Sequence, residues 1–109
     1  MTYEEIDSDE LKTNPDILIR QATELYDGVA HLLEMEEYED AGRGLSMIQN
    51  RLRNAHRGIS QPGLRKRIQR VYNYLRVFRT EIFSRNPSVV SNAHEKLSDQ
   101  LSILWHLTN

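Results

Sequence analysis

The chain has 109 residues, no cysteine, and 14 bases against 16 acids for a formal net charge of −2 at pH 7. That length suits one domain with a core of its own, and the lack of cysteine excludes disulfide frameworks, thiolate metal sites and cysteine nucleophiles. No apolar run approaches the roughly 20 residues that span a bilayer, and the acidic start MTYEEIDSDE is a poor match to a secretory signal, so a soluble protein of the reducing cytoplasm is expected.

Residues 1–13 read as a short acidic tail with isolated Tyr3, Ile6 and Leu11. Such a stretch is ordinarily a solvated terminus, and its spaced apolar residues also suit a groove on the domain that follows, residues 14–109. Asn14-Pro15-Asp16 then opens a first helix: the Asn side chain accepts a free backbone N–H, and the Pro gives up one that had no partner. Leu18, Ala22, Leu25, Val29 and Leu32 continue it in steps of three and four, the spacing of one helix face. The phase slips around Glu36–Asp40, which places a turn there, ahead of Gly42 and Gly44. A second helix carries Ala41, Leu45, Ile48, Leu52, Ala55 and Ile59. Gly58 and Gln61-Pro62-Gly63 break the pattern. A third helix carries Leu64, Ile68, Val71, Leu75, Phe78 and Ile82. Asn86-Pro87-Ser88 repeats the Asn-Pro start, and a fourth helix carries Val90, Ala93, Leu97, Leu101 and Leu104. No segment sustains the period of two of a strand. The expected fold is all-α: an antiparallel up-down-up-down four-helix bundle with a short acidic N-terminal tail.

Charge is sorted along this plan. Residues 1–40 hold 13 acids and two bases, net −11, whereas residues 41–85 hold 11 bases and one acid, net +10. With the first helix beside the second, Glu24, Asp27, Glu34 and Glu37 are expected to face Arg43, Arg51 and Arg53. Each such exposed pair contributes under about 1 kcal/mol. Otherwise the basic part meets an acidic partner.

Residues for catalysis are not arranged for it. His31, His56, His94 and His106 include no pair four apart, so no helix presents a two-imidazole metal face. Gly42-Arg43-Gly44 lacks the lysine and the strand of a phosphate loop. Glu36-Glu37 stands in a solvated charge run, and Ser88, Ser91, Ser98 and Ser102 have no evident base. No enzyme, cofactor or metal is expected. The bases Arg65, Lys66, Arg67, Arg70, Arg76 and Arg79, with Tyr72 and Tyr74 among them, would allow phosphate contacts. A small nucleic-acid-binding or regulatory interaction module is therefore the alternative function. Apolar residues beyond the four seams are the stronger clue: Ile19, Tyr26, Met35, Met47, Val77, Phe83, Ile103 and Trp105 either widen the core stripe or form a groove for a partner helix. The candidate partner-binding residues are Tyr3, Ile6, Ile19, Tyr26, Met47, Tyr74, Val77 and Ile103.

The run Leu25-Tyr26-Asp27-Gly28 resembles the leucine-tyrosine-aspartate-glycine signature of FliS, the flagellin-specific export chaperone. Tyr72-Asn73-Tyr74-Leu75 is similar to that family's tyrosine-x-tyrosine-methionine on its third long helix, and Trp105 falls at about the separation of the family's late tryptophan. The resemblance spans about residues 3–105, in the same order of elements. Ser60-Gln61-Pro62-Gly63 replaces the family's double glycine, and Arg67 stands where it has asparagine. The resemblance implies an antiparallel helical bundle with Leu25, Tyr26, Asp27, Gly28, Tyr72, Tyr74, Leu75 and Trp105 as signature residues. It also implies a cytoplasmic chaperone that binds the C-terminal segment of flagellin, blocks premature polymerisation and delivers the subunit to export-gate components.

Overall fold

Proline opens three of the four helices. The structure, a computed structural model, describes residues 15–84 and 86–108; Tyr3, Ile6 and the rest of the acidic stretch 1–13 lie outside the described residues. The helices are α1 (Pro15–Glu34), α2 (Tyr38–Gly58), α3 (Pro62–Glu81) and α4 (Pro87–Thr108), and a 3₁₀ turn, Ile82–Ser84, follows α3. Among the described residues there is no strand. Pro15, Pro62 and Pro87 each occupy a first helical position, where a missing N–H costs nothing. At α4 the expected cap is in place: Asn86 Oδ1 accepts the N–H of Ser88 at 3.0 Å and of Val89 at 3.4 Å.

The α1–α2 turn occupies residues 35–37, at the early edge of the stretch where the hydrophobic phase slips. Tyr38 to Asp40 are already helical. Glu36 adopts a left-handed conformation, φ 59°. Its N–H donates to Leu33 O at 3.1 Å, and the next N–H, of Glu37, donates to Leu32 O at 2.9 Å. This pair of bonds is the Schellman ending, which usually recruits glycine; here a glutamate takes the position. Glu39 and Asp40 then lie in the first turn of α2, where exposed N–H groups favour negative charge.

Each helix buries one face against two neighbours. α1 packs on α2 and α4, and α3 packs on α2 and α4, while the backbones of the diagonal pairs stay farther apart. The four seams converge on one core. Leu18, Ala22, Val29, Leu45, Ile48, Leu52, Ile68, Val71, Leu75, Phe78, Leu97, Leu101 and Leu104 are buried, with Leu25, Leu32, Leu64, Val90 and Ala93 packed at its edge. The most extensive contact is α1 on α2. Its intimacy has a local cause: a Cβ on Gly44 would stand 2.5 Å from Val29 Cγ2. Only hydrogen fits there.

Two expectations need correction. Ile19, 0 % exposed, and Tyr26, 4 % exposed, belong to the core, and neither offers an exposed apolar face to a partner helix. The stripe of α1 is wide because two helices cover it, α2 on one side and α4 on the other. Nor do Glu24, Asp27, Glu34 and Glu37 pair with Arg43, Arg51 and Arg53. Among the described residues the ion pair is Arg43–Asp40, 3.1 Å apart within α2 and exposed on both sides. Close packing of small residues draws the α1 and α2 backbones together. Arg53 turns instead to the Tyr72 hydroxyl, and the Arg51 Nε is buried without a hydrogen-bond partner.

Candidate functional site

The side chains of α3 divide into those that hold the bundle and those left open. Arg65 Nη1 donates to His56 O and to Ile59 O, both at 2.9 Å, and so closes the carbonyl end of α2. Loss of hydration lowers the pKa of His56 below its usual value, and the Arg65 charge lowers it further. Arg67 donates to Gln100 Oε1 of α4 at 3.3 Å. Arg79 donates at 2.8 Å to Gln49 Oε1 of α2, which satisfies a buried amide. Tyr72 is half-buried; its hydroxyl accepts from Arg53 at 2.8 Å, and the guanidinium also stands 5.8 Å from the ring centre. Much of the basic character of this helix is thus engaged with carbonyls, amides and a phenol.

The open side of α3 faces α4. Between them runs a groove of about 480 Å³. Tyr74 and Val77 of α3 and Val89 of α4 are exposed on it at 40, 51 and 36 %, and Ala93 completes its apolar floor. Asn73 and Asn92 offer amide groups along its length. Arg70 and Lys96 line it too, as does Glu81. Concave apolar surface with a few polar groups is the form of a recognition site.

The residues singled out from the sequence are distributed unevenly. Tyr74 and Val77 meet in this groove. Met47 is exposed on α2, which does not border it, and Ile103 is exposed on α4 beyond Lys96. Tyr26 ties α1 to α4: its hydroxyl is 2.6 Å from His94 Nδ1, and the rings stack with centroids 5.5 Å apart. Burial pushes the Tyr26 pKa well above the usual phenol value, so the hydroxyl keeps its proton. Asp27 and Trp105 lie with Tyr26 along a second, more polar groove between α1 and α4, where Arg20 stands 5.8 Å from the centre of the Trp105 ring. Leu25 packs at the core edge, Leu75 is buried, and Gly28 is exposed with open space where a Cβ would point. The eight signature residues therefore do not form one site. Val89, Asn92 and Lys96 complete the α3–α4 groove and escaped sequence reasoning, because Val89 lies one position before the α4 seam and the other two are ordinary surface types.

Among the described residues no group of three His, Asp or Glu could hold a metal ion, and no helix is long and apolar enough to cross a membrane. Comparison of the chain with protein-family models, with curated proteins and with solved structures finds no match.

Proposed function

We propose that this chain is a binding module, not an enzyme, and that its α3–α4 groove holds an amphipathic segment of another protein. One observation carries the reading: Tyr74, Val77 and Val89 are large, apolar, exposed and gathered in a single concave strip. Elsewhere the exposed apolar residues are scattered, as at Met35, Met47 and Leu107, which is ordinary for a surface. The resemblance to FliS gives the partner a name. In that reading the helices run up-down-up-down, the segment is the C-terminal part of flagellin, and the protein is a cytoplasmic export chaperone that prevents premature polymerisation. A partner segment without structure of its own would fold into the groove and bury the strip. Nucleic-acid binding through α3 has less support, because Arg65 and Arg67 already hold α2 and α4.

Titration calorimetry with the full chain and a C-terminal flagellin peptide tests the reading. One-to-one binding is expected, with the negative heat-capacity change of apolar burial. Tyr74→Ala and Val77→Asp should each weaken it about tenfold or more while leaving the helical circular dichroism intact, since both side chains are exposed. Met47→Ser should change nothing. Absence of heat at high micromolar peptide, or indifference to both groove substitutions, would refute the assignment.

A further inference from the structure

The α3–α4 groove has two chemically different ends. The Arg67–Gln100 hydrogen bond sets the register of the two helices. One turn inward from it, Arg70 on α3 and Lys96 on α4 come to the same end of the groove. Glu81 closes the other end, beside the start of α4 where Val89 lies. Among the described residues none of these three charges has an ion-pair or hydrogen-bond partner. Between them the floor is apolar, formed by Tyr74, Val77, Val89 and Ala93. From Arg70 to Glu81 the α3 axis advances about 16 Å at the helical rise per residue, room for a helix of roughly 11 residues or about five extended ones.

Resting on the reading of this groove as a partner site, we propose that it selects a charge-polarised segment of another protein and fixes its direction. The segment carries apolar residues on one face, acid at one end and base at the other. Its acidic end lies between Arg70 and Lys96, and its basic end lies at Glu81. Docked the other way, two attractions at one end and one at the other become repulsions. Rim charges of this kind act on orientation and register more than on total affinity. The occupant is a partner and not the acidic start of this chain, because residues 1–13 carry five acids against the single base Lys12 and so lack the balanced acid-to-base polarity of the groove.

A synthetic amphipathic peptide tests this on the full chain. It carries leucines on one face, aspartates at one end, lysines at the other and a benzophenone beside the aspartates. After irradiation, mass spectrometry locates the cross-link. Attachment near Arg70 and Lys96 is expected to exceed attachment near Glu81 and Val89 by about tenfold, the product of several exposed charge pairs each worth a factor of a few. In the variant Arg70→Glu, Lys96→Glu, Glu81→Lys the preference should invert with little change in affinity, and high salt should erase it. Equal attachment at both ends, or a preference that survives the triple substitution, would overturn the directional reading while leaving the groove as a site. Failure of the peptide to bind at all would instead overturn the groove itself, and the directional reading with it. Displacement of the bound peptide by a lower concentration of a peptide of residues 1–13 would make the chain's own start the occupant, which also refutes the proposal.

Discussion

Replacing glycine by alanine within a helix should have opposite effects at two positions of this protein. Alanine favours an exposed helix interior over glycine by about 1 kcal/mol. At Gly28 in α1 a Cβ meets nothing within 4 Å, so Gly28→Ala should stabilise by about 0.5–1 kcal/mol. At Gly44 in α2 the same methyl would stand 2.5 Å from Val29 Cγ2, against the 3.4 Å where ordinary contact begins. About 0.9 Å must be found. Val29 is 2 % exposed and β-branched, so its single rotatable bond is stiff and its methyls are enclosed. The relief must come from moving α1 off α2, across the most extensive contact in the bundle. A gap of that size forfeits a quarter to a half of each dispersion contact it opens, and overpacking of this kind costs about 1–3 kcal/mol. The cost exceeds the helix-propensity gain, and Gly44→Ala should destabilise by a net ~1–2 kcal/mol. Urea unfolding followed by circular dichroism reads both variants, and a melting shift of roughly 4–8 °C per kcal/mol is expected for a domain near this size. Val29→Ala removes the obstructing methyl, so the double variant should be more stable than the sum of the single effects by about 1–2 kcal/mol. If Gly44→Ala stabilised as much as Gly28→Ala, the close approach of α1 and α2 would be refuted.

Leu52→Ala and Ile68→Ala, at 0 and 1 % exposure, should each cost about 2–4 kcal/mol in urea melts; neutral results would refute the face assignment of α2 and α3. Glu36→Gly should stabilise by about 1 kcal/mol, because it relieves a left-handed residue while keeping the two bonds that end α1; a loss of stability would show that the Glu36 side chain does more than occupy the turn. His56 has its pKa lowered by loss of hydration and by Arg65, so the unfolded chain binds the proton more readily. Stability should therefore fall as pH drops through the ordinary histidine value toward the lowered one, and level off below it. His56→Gln should flatten that part of the stability–pH curve; an unchanged slope would assign it to other groups.

The sequence by itself determined the helices and their inward faces. A period of three and four is a property of one helix, so every seam residue from Leu18 to Leu104 is buried or packed at the core edge. Pro15 and Pro87 at first helical positions and the Asn86 cap act within a few residues and are legible for the same reason, whereas Pro62 reads as a break and in fact opens α3. What one helix does to another was not. Whether Ile19 and Tyr26 are core or groove depends on how many neighbours α1 has, and it has two. Whether the acids of α1 meet the arginines of α2 depends on how the two helices face one another, and among the described residues those pairs do not form. Arg65 and Arg67 looked free for phosphate until carbonyls of α2 and an amide of α4 came within reach. The α3–α4 groove, with its apolar floor and opposed charges, exists only because two helices lie side by side in one register. Local patterns carry intrahelical geometry alone; which surfaces stay open is set by distances between residues far apart in the chain.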